Sequence, residues 1–110
     1  MADSFEELFP SKQIRAYVVE FDVPPLTEEV VKLIPQQRMT VGMMMSAGTV
    51  LTYTLSADRR RLWSIMIGNS ASEIGEVLRR LPITKFMQYR IHELMFHEAA
   101  TVGIPKASMN

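Results

Sequence analysis

Leu81-Pro82-Ile83-Thr84-Lys85-Phe86-Met87-Gln88-Tyr89-Arg90-Ile91-His92-Glu93-Leu94 decides the fold of this 110-residue chain. Pro82 ends a helix, since proline has no N–H to carry the helical hydrogen-bond ladder onward. The residues after it alternate with period two, and strand side chains point to opposite faces with that period. Met87, Tyr89 and Ile91 make an apolar face, while Gln88, Arg90 and His92 make a polar one. One segment thus supplies a wall of core and a candidate chemical surface.

The same alternation runs through residues 16–23, with Tyr17, Val19, Phe21 and Val23 on one side and Ala16, Val18, Glu20 and Asp22 on the other. Pro24-Pro25 ends that strand. Thr27 is placed to cap a helix whose first turn carries Glu28 and Glu29, where the helix dipole favours negative charge. Pro35 predicts a kink or break before a second helical stretch to about Ala47, and Gly48 is the natural stop. Residues 49–56, rich in β-branched and aromatic types, predict a second strand. A polar turn at 57–60 joins it as a hairpin to a third at 61–67. Ser70 and Glu73 have the spacing of a capping box, followed by a short helix burying Ile74, Val77, Leu78 and Leu81.

The order is βαββαβ, which predicts an α+β, ferredoxin-like domain with a four-stranded antiparallel sheet and both helices on one face. The reading gives an N-terminal extension at 1–15, the domain at 16–97 and a C-terminal tail at 98–110. Val18, Val50, Leu62 and Met66 are expected on the uncovered sheet face, too apolar to leave in water. Pairing two such faces in a homodimer would resolve this and enclose a pocket in a dimeric α/β barrel.

Composition narrows the function classes. Twelve acidic and 12 basic residues give no net charge, so neither nucleic acid nor an anionic membrane is an expected partner. No apolar run reaches membrane-spanning length. The absence of cysteine rules out disulfides and thiolate metal sites and fits a reducing cytoplasm, the expected location. His92 and His97, five apart in a strand-to-tail context, lack a metal-ligand spacing, so no metal or other cofactor is expected. Of the nine methionines, Met39, Met43, Met44 and Met45 fall on the first helical segment. Most are expected to fill an irregular core, with at least one reaching a subunit interface.

From about Tyr17 to His97 the chain resembles the muconolactone isomerase family. Leu81-Pro82, Met87, Leu94 and His97 match the family's Leu-Pro, Met, Leu and His at the same spacing, and Gly48-Thr49 match its Gly-Thr. The resemblance implies small ferredoxin-like subunits assembling as dimeric α/β barrels and higher homo-oligomers. It also implies isomerisation of an unsaturated lactone by moving a proton between carbons. After Gly-Thr the family pattern runs Trp-Arg-His-Leu-Trp-Arg, whereas here Val50-Leu51-Thr52-Tyr53-Thr54-Leu55 stand in its place. Gln37-Arg38-Met39 stand where the family has Glu-Lys-Glu, and a glutamine cannot take a proton as a carboxylate does.

Glu20, Arg90 and His92 are the candidate catalytic residues, since neighbouring first and fourth strands would bring all three onto the open face. A histidine titrates near working pH, an arginine holds a carboxylate with two parallel hydrogen bonds, and a glutamate serves as base or orients the histidine. The structural alternative is a cross-strand ion pair beside a partly exposed histidine. Gln88, Thr52 and His97 are the candidate substrate contacts. Arg59-Arg60-Arg61 at the hairpin turn, next to Asp58, read as a solvated loop.

Three functions follow from these readings. The first is proton-transfer isomerisation of a small lactone or carboxylate in an intersubunit pocket. The second is a non-catalytic small-molecule-binding or assembly module. The third, by fold analogy alone, is a cofactor-free oxygenase acting on a bound aromatic.

Overall fold

The computed structural model describes residues 15–95. Along the chain these form β1 (Arg15–Asp22), α1 (Glu28–Ser46), β2 (Thr54–Leu55), β3 (Arg61–Gly68), α2 (Ala71–Arg79), a 3₁₀ turn (Thr84–Phe86) and β4 (Gln88–Leu94). The four strands lie in the order β2-β3-β1-β4, every neighbouring pair antiparallel. This is the ferredoxin-like α+β arrangement expected from the element order.

The helix boundaries are set by local chemistry. Thr27 Oγ1 accepts the Val30 N–H, capping α1. At its far end Gly48, at φ 83°, sits in the left-handed region. There the Gly48 N–H reaches the Met45 carbonyl and the Thr49 N–H reaches that of Met44, a pair of bonds that closes the helix. Ser70 Oγ accepts the Glu73 N–H as expected, but the Glu73 carboxylate takes the Asn69 N–H, one residue earlier than a standard capping box.

Pro35 does not break α1. The 19-residue helix runs through it, with Val30, Gln37, Val41 and Met44 buried on one face. Pro35 and Val31 lie on the exposed side, so the Val31 carbonyl that the proline leaves without a helical donor is on the solvent side of the helix and not in the core. Packing of the opposite face outweighs the lost hydrogen bond.

Register decides which face of the sheet is core. Tyr17 stands opposite Met66, Val19 opposite Ser64 and Phe21 opposite Leu62. These side chains therefore share the covered face, where Val41 and Met44 of α1 and Ile74, Val77 and Leu78 of α2 close over them. The expectation that Val50, Leu62 and Met66 line the open face is overturned, since all three are buried in this core. Val18 does lie on the open face, opposite Ile65. The methionines are corrected too: Met44 alone of the four on α1 is buried, and Met39, Met43 and Met45 are exposed.

The second strand is shorter than residues 49–56. Val50 bridges Met66, but Thr54 pairs with Trp63 and Leu55 with Leu62, so the partner shifts by one residue between them. An extra residue in one strand is a β-bulge, and it resets the alternation. Within this bulge Thr52 Oγ1 accepts the Ile65 N–H at 2.9 Å, and the Thr52 carbonyl accepts the buried Ser64 hydroxyl at 2.8 Å. Tyr53 is thereby turned to the covered side, against the core.

Candidate functional site

The open face has two halves. At one end β1 contributes Glu20 and Asp22, β3 contributes Arg61 and β4 contributes Gln88 and Arg90. Glu20 stands opposite Arg90, and Asp22 opposite Gln88 on one side and Arg61 on the other. Glu20 Oε2 accepts Arg61 Nη1 at 2.8 Å, and its Oε1 lies 3.5 Å from Arg90 Nε. Asp22 Oδ1 lies 3.4 Å from Arg61 Nε and 3.3 Å from Arg90 Nη2. Two carboxylates and two guanidiniums alternate in a closed ring across three strands.

Toward the other end the face is apolar. Val18 and Ile65 stand opposite one another, and Trp63 and Leu51 are exposed beside them. His92 lies at the junction, exposed and opposite Val18. Alternation on β1 and β4 therefore brings Glu20, Arg90, His92 and Gln88 onto one face, as the sequence predicts.

Their chemistry is more constrained than their placement. The Arg90 hydrogen bond, helped by Arg61, holds the Glu20 carboxyl below the usual glutamate range despite some desolvation. A carboxylate so stabilised is a poor base. Bonds to Asp22 and then Glu20 push Arg90 above its ordinary value, so it stays charged. A guanidinium has five donors, of which Glu20 takes the one on Nε and Asp22 one of the two on Nη2. The Nη1 donors of Arg90 make no hydrogen bond among the described residues.

Thr52, expected to contact substrate, spends its hydroxyl and its carbonyl within the bulge. His97 lies outside the described residues.

A second polar cluster sits on the covered side, where the sequence pointed only to a replaced carboxylate. Gln37 is buried, donates from Nε2 to the Tyr53 hydroxyl at 2.9 Å and accepts the Ile83 N–H on Oε1 at 3.0 Å. One amide thus ties α1 to the bulged segment and to the loop leading into β4. Burial pushes the Tyr53 hydroxyl above its ordinary value, and the Gln37 bond offsets part of that. The adjacent Thr84 hydroxyl is buried with no hydrogen-bond partner. An uncharged glutamine suits this position because a carboxylate there would meet a backbone N–H yet lose its own solvation. The signal in the sequence was Gln37 falling on the apolar stripe of α1 with Val30, Val41 and Met44.

The muconolactone delta-isomerase family profile matches residues 16–100, most of the chain. The chain belongs to that family. No curated protein matches it. Among solved structures it is similar to PH0061, at 10% identity and a TM-score of 0.52, over 92% of this chain and 72% of that one. It also matches the uncharacterized protein TM1266 from Thermotoga maritima at 11% identity and a TM-score of 0.44, over 74% of this chain and 98% of that one. At such identities the likeness to PH0061 speaks for the ferredoxin-like fold alone. Among the described residues of this family member, no helix is long and apolar enough to cross a membrane. No three His, Asp or Glu side chains gather there as a metal would require.

Proposed function

We propose that this muconolactone isomerase-like protein binds a small lactone or carboxylate on the open sheet face, in a pocket closed by a second copy. The proton transfer takes place beside His92. The carrying observation is the register that sets Glu20 opposite Arg90 and Val18 opposite His92 on a face that neither α1 nor α2 covers.

In this reading the free Nη1 donors of Arg90 hold the ligand's carboxylate or lactone oxygen. His92, whose side chain is exposed, takes a proton from one carbon and returns it to another as the double bond shifts, so no atom is gained or lost. Glu20 and Asp22 hold Arg90 in place. Trp63, Leu51, Ile65 and Val18 supply the apolar surface that a second copy buries.

A specific observation favours a second reading, a binding or assembly module without turnover. Every charged group of the ring is engaged by another, and Glu20 is a weakened base.

Turnover of muconolactone, followed by proton NMR, separates the two. Wild-type turnover that falls about 10²-fold or more in the Arg90→Ala, His92→Ala double variant supports the site. Turnover that survives in the double variant sinks it. A wild-type protein that binds but does not convert leaves the module.

A further inference from the structure

The chain leaving β1 and the tip of the β2–β3 hairpin face each other across a cleft of about 510 Å³, open to solvent, with residues 22–26 on one wall and 59–61 on the other. Its backbone is pinned. The Val23 N–H donates to the Arg60 carbonyl at 2.9 Å, joining the two walls. The Ser56 N–H donates to the Arg61 carbonyl and the Arg59 N–H to that of Ser56. Asp58 Oδ1 accepts both the Ser56 hydroxyl and the Arg60 N–H, which locks the turn.

Within this fixed frame Arg59 holds φ 64°, the sole non-glycine residue in the left-handed region among those described. Glycine, asparagine or aspartate takes such a turn position at less strain, so arginine there is a departure from what the turn alone demands. Strain of this kind persists where a side chain is wanted for something other than stability.

The charges in the cleft point the same way. Arg61 is committed to Glu20 and Asp22, and the Asp22 carboxylate is shared between Arg61 and Arg90. Arg59 and Arg60 form no ion pair with any described residue. Opposite them stand Pro25 and Leu26, both exposed. The Arg60 side chain acts on the neighbouring Asp58 only through its charge, so the wall that carries Arg59 and Arg60, neither in an ion pair with a described residue, stands across the cleft from an apolar ledge.

We propose that this cleft binds an organic carboxylate with an apolar body. Arg59 and Arg60 hold the carboxylate through paired N–H donors, and the body packs on Pro25 and Leu26. Inorganic phosphate offers oxygens to the arginines but nothing to the ledge, so it binds more weakly. Arg59 and Arg60 have no part in the proposed proton transfer, and Asp22, which holds Arg90, only borders the cleft, so the proposal does not rest on that reading.

An amide NMR titration of the full chain at constant ionic strength tests this, with hexanoate, inorganic phosphate and hexanol as probes. Hexanoate is expected to move the Val23, Leu26, Arg59 and Arg60 amides saturably, with phosphate and hexanol weaker by about fivefold or more. The Arg59→Gly, Arg60→Gln variant is expected to lose about tenfold in hexanoate affinity, as befits two charged hydrogen-bonding groups. Because glycine relieves the backbone, Arg59→Gly alone should keep or raise Tm. Non-saturating shifts, equal binding of phosphate, or undiminished binding by the double variant would each overturn the proposal. A fall in Tm for Arg59→Gly would also overturn it, by showing that the arginine serves the turn.

Discussion

The two faces of the sheet satisfy their polar groups in opposite ways. On the covered face two buried polar side chains are matched by individual partners, Ser64 by the Thr52 carbonyl and Gln37 by Tyr53 and the Ile83 N–H, and the Thr84 hydroxyl alone is left without one among the described residues. On the open face Glu20, Asp22, Arg61 and Arg90 satisfy one another collectively, in reach of water. The first arrangement stabilises because a buried donor or acceptor left alone is costly. The second contributes little to stability, since exposed ion pairs are screened. What it provides is a fixed array of charge, which suits binding better than folding.

The sharpest way to break this contrast is in the apolar residues of each face. Phe21→Ala, removing a ring buried against Tyr89, is expected to cost about 3–5 kcal/mol by denaturant unfolding. Trp63→Ala on the open face should cost under about 1 kcal/mol in dilute protein, the range of exposed substitutions. If two open faces pair, the Trp63→Ala loss grows with protein concentration while the Phe21→Ala loss does not. Comparable losses at every concentration would erase the distinction between the faces.

A smaller effect is expected at the covered polar cluster. Gln37→Ala strands the Ile83 N–H, and should cost about 1–3 kcal/mol. A neutral outcome would mean that water replaces the amide, and that this side is wetter than its burial indicates.

The smallest effect belongs to the ring. The Glu20 carboxyl titrates below its unfolded value, so its contribution is fully present above about pH 4.3, the ordinary glutamate pKa. That contribution is lost as pH falls through the lower folded value. Glu20→Gln should therefore lower neutral stability by a small amount, and the same amount should disappear from the loss of stability on acidification. Unfolding curves with equal acid slopes for wild type and variant would show that the ring carries no such linkage.

Much of this was legible in the chain. Thr27, Gly48 and Ser70 mark helix ends through bonds made within a few residues, so local sequence suffices to place them. The alternation of β1 and β4 is unambiguous because each has one apolar and one polar face. Residues 61–67 are different: Leu62, Trp63, Ile65, Met66 and Ile67 put apolar groups on both faces. Alternation there does not say which face is core, and the expectation for Leu62 and Met66 failed for that reason. The bulge at Thr52 was equally hidden, because it appears only when Ile65 lends its N–H to a side chain across the hairpin.

The sequence by itself determined the βαββαβ order, the caps and the sharing of one strand face by Arg90 and His92, all products of local propensity and period-two geometry. Only the tertiary structure decided that Met66 meets Tyr17 in the core, that Gln37 is buried as a tie between α1 and the strands, and that Arg61 joins Arg90 in holding Glu20 and Asp22. Those outcomes depend on strand register and helix docking, which set partners tens of residues apart and are settled by the packing of the whole sheet.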